Sequence, residues 1–171
     1  MHMFKLKPCN LEFVKTGTCY FENSIVIASS PETVFDVIAL INPHHKWLPW
    51  FKKAYWLSDG IPAIGKQRVF QTYYINLLEE IIDCKRGKRL CFWVSEASIP
   101  LFSQFLEDYQ LTQLETGETS LIWRIYCTPH RQIKLLYPLI NFLLGRDFKK
   151  GCQNIKMICE KENNKKNLFK S

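Results

Sequence analysis

The sequence predicts an α+β fold in a single domain. Three observations carry that reading: one strand-like segment and two short helical segments come first, six further strand-like segments follow in a row, and one long helical pattern closes the chain. A run of strands finished by a helix builds an α+β architecture, whereas a parallel α/β sheet needs strands and helices in alternation. A length of 171 residues fits one domain. Hydrophobic residues at 47% and charged residues at 23% can supply a core. Twelve Phe, seven Tyr and five Trp add large apolar area for a core or a pocket wall.

Each element follows from its local pattern. Residues 1–18 are weakly patterned and read as an N-terminal extension to a domain spanning 19–162. "YFENSIVIA" (20–28) is rich in β-branched and aromatic residues, as a strand requires. In "SSPETVFDVIALI", Ser30 suits an N-cap, Pro31 the first helical position and Glu32 the first turn. Val34, Phe35, Ile38 and Ile41 then give one apolar face at helical spacing, and the helix stops near Asn42, before Pro43. "PHHKWLPW" predicts a second short helix, opened by Pro43 and ended by Pro49. Strands are predicted at 53–58, 66–75, 77–85, 89–96, 103–115 and 119–127. Residues 131–162 read as one long helix with a break or kink at Pro138.

Composition excludes several classes. The start, "MHMFKLKPCNLEF", lacks the apolar core of a secretory signal. The longest apolar stretch, "LLYPLINFLL" (135–144), is half of the roughly 20 residues that span a bilayer, so no transmembrane segment is expected. Seven cysteines without a CxxC pair suggest reduced thiols in a soluble, cytoplasmic protein. The net charge is +7, of which +5 falls in residues 146–171. That end, with 163–171 as a basic flexible tail, is the place for a protein or anionic-surface contact, although a solvated tail is the simpler reading. No specific nucleic-acid motif appears. His44 and His45 are neighbours, and adjacent helical side chains point about 100° apart, so no metal is expected there. No nucleophile triad or phosphate loop occurs, and neither a cofactor nor a catalytic residue is selected.

"NSIVIASSPETVFDVI" followed by "HHKWLPWF" resembles the SRPBCC superfamily of START-like, helix-grip proteins, which includes the polyketide cyclase/dehydrase and birch-pollen-allergen groups. Ile25, Ile27, Ala28, Pro31, Val34, Phe35 and Trp47 carry the match, with "IPAIGK" around Gly65 and the "ETGETSLIWRIYCTP" hairpin. The resemblance covers residues 20–160. It implies a seven-stranded curved antiparallel sheet around the C-terminal helix, with a cavity between them. These motifs build a scaffold and not a site.

Pairing rules then place side chains. A two-residue turn at Gly87–Lys88 predicts Cys84 opposite Cys91, and leaves two apolar faces, Ile81, Leu90, Phe92 and Val94 or Ile82, Cys84, Cys91 and Trp93, of which the one with Leu90, Phe92 and Val94 is preferred as inner. A three-residue loop at Thr116–Glu118 puts Phe105, Tyr109 and Leu111 with Leu121, Trp123, Ile125 and Cys127 on one face, and leaves Arg124 outward for a surface ion pair. On the last helix Ile140, Leu144, Asp147, Gly151, Ile155 and Ile158 form one stripe. Gly151 marks either close packing or a gap for a ligand, and Asp147 either a surface pair or a polar anchor. The expected ligand contacts are Phe92, Tyr109, Leu111, Trp123, Ile125, Leu144, Asp147 and Gly151. Three functions stay open: binding of a small hydrophobic ligand such as a lipid, isoprenoid or polyketide-like compound, a cyclase or dehydratase using acid/base groups in the cavity, and a protein-interaction module with little or no cavity.

Overall fold

The computed structural model describes residues 2–17, 19–41, 47–58, 60–133 and 135–168, with side chains except at Cys19 and 164–168. In chain order the elements are β1 (Phe4–Lys5), a 3-10 turn (Leu11–Lys15), β2 (Cys19–Ile27), α1 (Pro31–Ala39), β3 (Phe51–Trp56), β4 (Gln67–Thr72), β5 (Asn76–Lys85), β6 (Arg89–Ala97), β7 (Phe102–Gln113), β8 (Thr119–Pro129), a second 3-10 turn (Arg131–Ile133) and α2 (Tyr137–Leu168). Seven strands form one antiparallel sheet in the order β2-β8-β7-β6-β5-β4-β3, and β1 adds an eighth by pairing with β6. The helix-grip architecture expected from the sequence is therefore the one found.

The helix signals act as read. The Ser30 side chain accepts a hydrogen bond from the Thr33 N–H, and Pro31 takes the first helical position. The expected second short helix is not seen where it can be judged. Residues 42–46, including His44 and His45, lie outside the described residues, and the chain from Trp47 to Trp50 forms a turn. Pro138 kinks nothing. It is the second residue of α2, where a missing N–H has no helical partner to lose. The α2 backbone continues to Leu168, so the expected boundary at 162 falls inside it, and residues 169–171 lie outside the described residues.

The N-terminal residues are tied to the sheet more closely than their weak pattern implies. The β6–β7 ladder ends at Trp93 and Leu106. Beyond that point β1 pairs Phe4 with Ala97 and Lys5 with Glu96. The Leu6 N–H then donates to Ser95 O (2.9 Å) and the Lys7 N–H to Ser103 O (2.8 Å), so the chain bridges the splayed strands. Cys9 and Phe13 bury a second cluster on the sheet's outer face with Cys91, Leu106 and Tyr126.

The inner face carries Leu90, Phe92, Val94, Phe105, Tyr109 and Leu111 as expected, opposite Leu121, Trp123, Ile125 and Cys127. Both hairpin registers differ from expectation. Cys84 pairs with Leu90 and Asp83 with Cys91, so the two thiols do not face each other. The reason is the turn: Gly87 adopts φ +72° at the third position of a Lys85–Lys88 turn, as in type II, and a bulge between Ile81 and Asp83 restores the faces. At the next hairpin Tyr109 pairs with Trp123 and the ladder closes at Gln113–Thr119, two residues sooner than the short loop implied. A two-residue shift preserves every facing, because strand side chains alternate with period two. Arg124 points outward and pairs with Glu22 (2.7 Å), as expected.

Candidate functional site

The space between sheet and α2 divides into a filled end and an open end. The filled end is aromatic. The Tyr109 ring stacks on Trp123 (centroids 4.9 Å apart) and lies near-parallel to Phe92 (6.1 Å). Trp47 and Phe148 meet Trp123 edge-on at 5.4 and 5.2 Å. Thus the tryptophan of "PHHKWLPWF" that caps the core is Trp47.

The open end is a cavity of about 70 Å³. Val94, Phe105 and Glu107 line it from the sheet, with Ile75, Leu77 and Ala97 beside them. Leu144 and Phe148 of α2, Trp50 and Leu6 complete much of the enclosure. Among the described residues, Glu107 is the one titratable side chain in the lining. Ligand pockets for drug-sized molecules run to about 300–1,000 Å³, so this one suits a small molecule or the end of a larger one.

Glu107 reaches the interior because it alternates with Phe105, Tyr109 and Leu111 on β7. The Tyr109 hydroxyl donates to Glu107 Oε2 (2.7 Å), and the Trp123 indole N–H donates to the same oxygen (2.9 Å). Burial, reinforced by the negative charge of Glu79, pushes the Glu107 carboxyl up to about 7, against the two hydrogen bonds and Arg68. A carboxyl held there can exchange a proton with a bound group near neutral pH.

A second buried carboxylate stands nearby. Arg68 on β4 and Glu79 on β5 are cross-strand neighbours and form a hydrogen-bonded ion pair, both side chains about 5% exposed or less. The Arg68 guanidinium lies over the Phe92 ring at 4.8 Å. Burial raises Glu79 while Arg68 pulls it back down. Removing either partner leaves an uncompensated buried charge.

The predicted site residues distribute unevenly over this geometry. Leu144 alone of the eight lines the cavity. Phe92, Tyr109, Leu111, Trp123 and Ile125 are buried in the core beside it. No gap exists at Gly151: a Cβ there would stand 3.1 Å from Leu48 Cδ2 and 3.2 Å from Trp123 Cζ3, which is close packing. Asp147 turns to the edge of the helix, accepts from the Trp50 indole N–H (3.2 Å) and lies 3.7 Å from Arg146. The expected stripe is rotated by about one residue, so that Phe148, Cys152, Ile155 and Cys159 form the fully buried line. Glu107 and Arg68 were missed. The signal for Glu107 was present, since the face that holds Phe105, Tyr109 and Leu111 must also hold residue 107. Among the described residues, no three His, Cys, Asp or Glu side chains gather as a metal site needs.

Comparison with known proteins fits this picture. No family model matches the chain. Uncharacterized proteins of Mycobacterium bovis and Mycobacterium tuberculosis are each 28% identical over 149 residues, covering 84% of this chain and 89% of theirs. Among solved structures, a START superfamily protein from Mycobacterium smegmatis aligns with a TM-score of 0.68 at 13% identity, over 83% of this chain and 97% of that one. The Aha1 dimer from Colwellia psychrerythraea aligns with a TM-score of 0.63 at 13% identity, over 84% and 97%. Likeness at that identity speaks to architecture: the chain has the α+β helix-grip fold of START superfamily proteins.

Proposed function

We propose that this chain binds a small hydrophobic molecule in the cavity between the sheet and α2. The observation that carries the reading is the lining itself, in which Glu107 is the one residue among those described that is not apolar. Apolar walls with one placed polar group are how small-molecule sites obtain affinity and orientation together. The volume favours a compact molecule, or a longer one whose end enters beside Leu144. The test is native mass spectrometry of the protein purified from its own source, together with xenon titration followed by NMR of the lining methyls. We expect a stoichiometric apolar molecule that organic solvent extracts, and xenon shifts at Val94 and Leu77 that vanish in Ala97→Phe. An empty protein whose lining methyls ignore xenon overturns the reading.

A second reading, a protein-interaction module, draws on a different observation. Leu135, Leu136, Leu139 and Phe142 stand exposed along the start of α2 and the turn before it, Leu135 at 96%. Contiguous exposed apolar side chains often mark a docking face. A pull-down from the protein's own cell extract tests it. A partner retained by the wild type and lost from the Leu139→Ser/Phe142→Ser double variant supports the reading, and identical sets from both remove it.

A further inference from the structure

Glu107 lines the cavity, and of its two oxygens only Oε1 is left without a donor from Tyr109 or Trp123. Oε2 accepts from both Tyr109 and Trp123, which uses its lone pairs. Any proton on the neutral acid therefore sits on Oε1, which makes no hydrogen bond to another described residue. Among the described residues no other side-chain donor competes in the cavity, because the Trp50 indole N–H is given to Asp147. The described side chains of the lining thus supply one hydrogen-bond donor, the neutral Glu107 acid, in an apolar enclosure.

We propose that Glu107 is the cavity's polar anchor, and that the molecule held there is apolar with a carbonyl oxygen at its buried end. This rests on the ligand-binding reading above and adds the chemistry of the ligand's polar end. A carbonyl oxygen accepts from the Oε1 hydroxyl. A hydrocarbon leaves that donor unpaired, and a site built around a buried donor discriminates against such a molecule.

The anchor works in its neutral form, so binding is linked to pH. The groups acting on Glu107 are Tyr109 on its own strand, Trp123 on β8, Arg68 on β4 and Glu79 on β5, while β6 sets Phe92 opposite it. With Glu107 titrating at about 7, the acid is neutral below that pH and charged above it. Sign and size follow: the neutral fraction is about 0.9 at about pH 6 and about 0.03 at about pH 8.5, and apparent affinity scales with that fraction.

The test uses 2-hexanone and hexane as probes, each titrated at both pH values and followed by NMR of the Ile75, Leu77 and Val94 methyls. We expect 2-hexanone to bind about 30-fold more weakly at the higher pH and hexane to show no such change. Glu107→Gln keeps a carbonyl oxygen for Tyr109 and Trp123 and an N–H for the cavity. It should bind 2-hexanone equally at both pH values. If both probes bind the wild type without pH dependence, the anchor is wrong and the cavity reading survives. If neither probe moves the lining methyls at either pH, the cavity reading falls and the anchor with it.

Discussion

The two parts of α2 both carry large apolar side chains, and those side chains meet opposite fates. From residue 148 onward one face lies on the sheet and on α1, and Phe148, Cys152, Ile155 and Cys159 are buried. Before residue 144, Leu139 and Phe142 are exposed, Phe142 at 67%. The difference shows that hydrophobicity alone does not decide burial in this helix. Position over the sheet does. Leu144 stands at the junction, half-buried and in the cavity wall, so the cavity lies where the helix passes from its packed half to its unpacked half.

The sharpest way to break this comparison is to truncate the same residue type in each half. Phe148 is 3% exposed and meets Phe21 and Trp123 at 5.8 and 5.2 Å. Phe148→Ala should destabilise by about 3–5 kcal/mol, the usual range for deleting a buried ring. Phe142→Ala should stay within about 0.5 kcal/mol, as exposed positions do. Urea unfolding of both variants reads the difference directly. Equal losses would mean that the first half of α2 is packed in solution.

Much of this architecture was legible in the sequence, and the failures share a cause. Ser30 and Pro31 announce α1 through local rules, and the seven strands of the main sheet follow from alternation. The inner faces survived two wrong registers because an even shift or a compensating bulge leaves facing unchanged. The misses are tertiary. Nothing local shows that Phe4 and Lys5 fill the edge left where β6 and β7 splay. The helical stripe was centred on Asp147 and Gly151 instead of Phe148 and Cys152, because a stripe can be rotated by one residue with little loss of pattern. At the site, Glu107 shares a face with Tyr109, but a carboxylate in an apolar run looks like the polar face of a strand. Alternation puts it inside, and what satisfies it there is the pair of donors on two different strands, Tyr109 and Trp123, a pairing that depends on register.

Two glycines give a smaller and subtler contrast within α2, because the same substitution should change sign between them. Neither Gly145 nor Gly151 has a positive φ, so alanine fits the backbone at both. Alanine gains about 1 kcal/mol over glycine inside a helix. At Gly145 the new methyl would sit 3.6 Å from the Phe21 ring, an ordinary contact, and the gain should survive as about 0.5–1 kcal/mol of added stability. At Gly151 the methyl would press on Leu48 at 3.1 Å and Trp123 at 3.2 Å. Trp123 cannot yield easily, since its ring is stacked on Tyr109 and its N–H is held by Glu107. Overpacking of that kind costs about 1–3 kcal/mol and outweighs the helical gain, so Gly151→Ala should lose about 1 kcal/mol. Urea unfolding of the two variants side by side decides it. If both alanines stabilise, the packed half of α2 can lift off Trp123, and the indole that fixes Glu107 is less firmly held than its contacts imply.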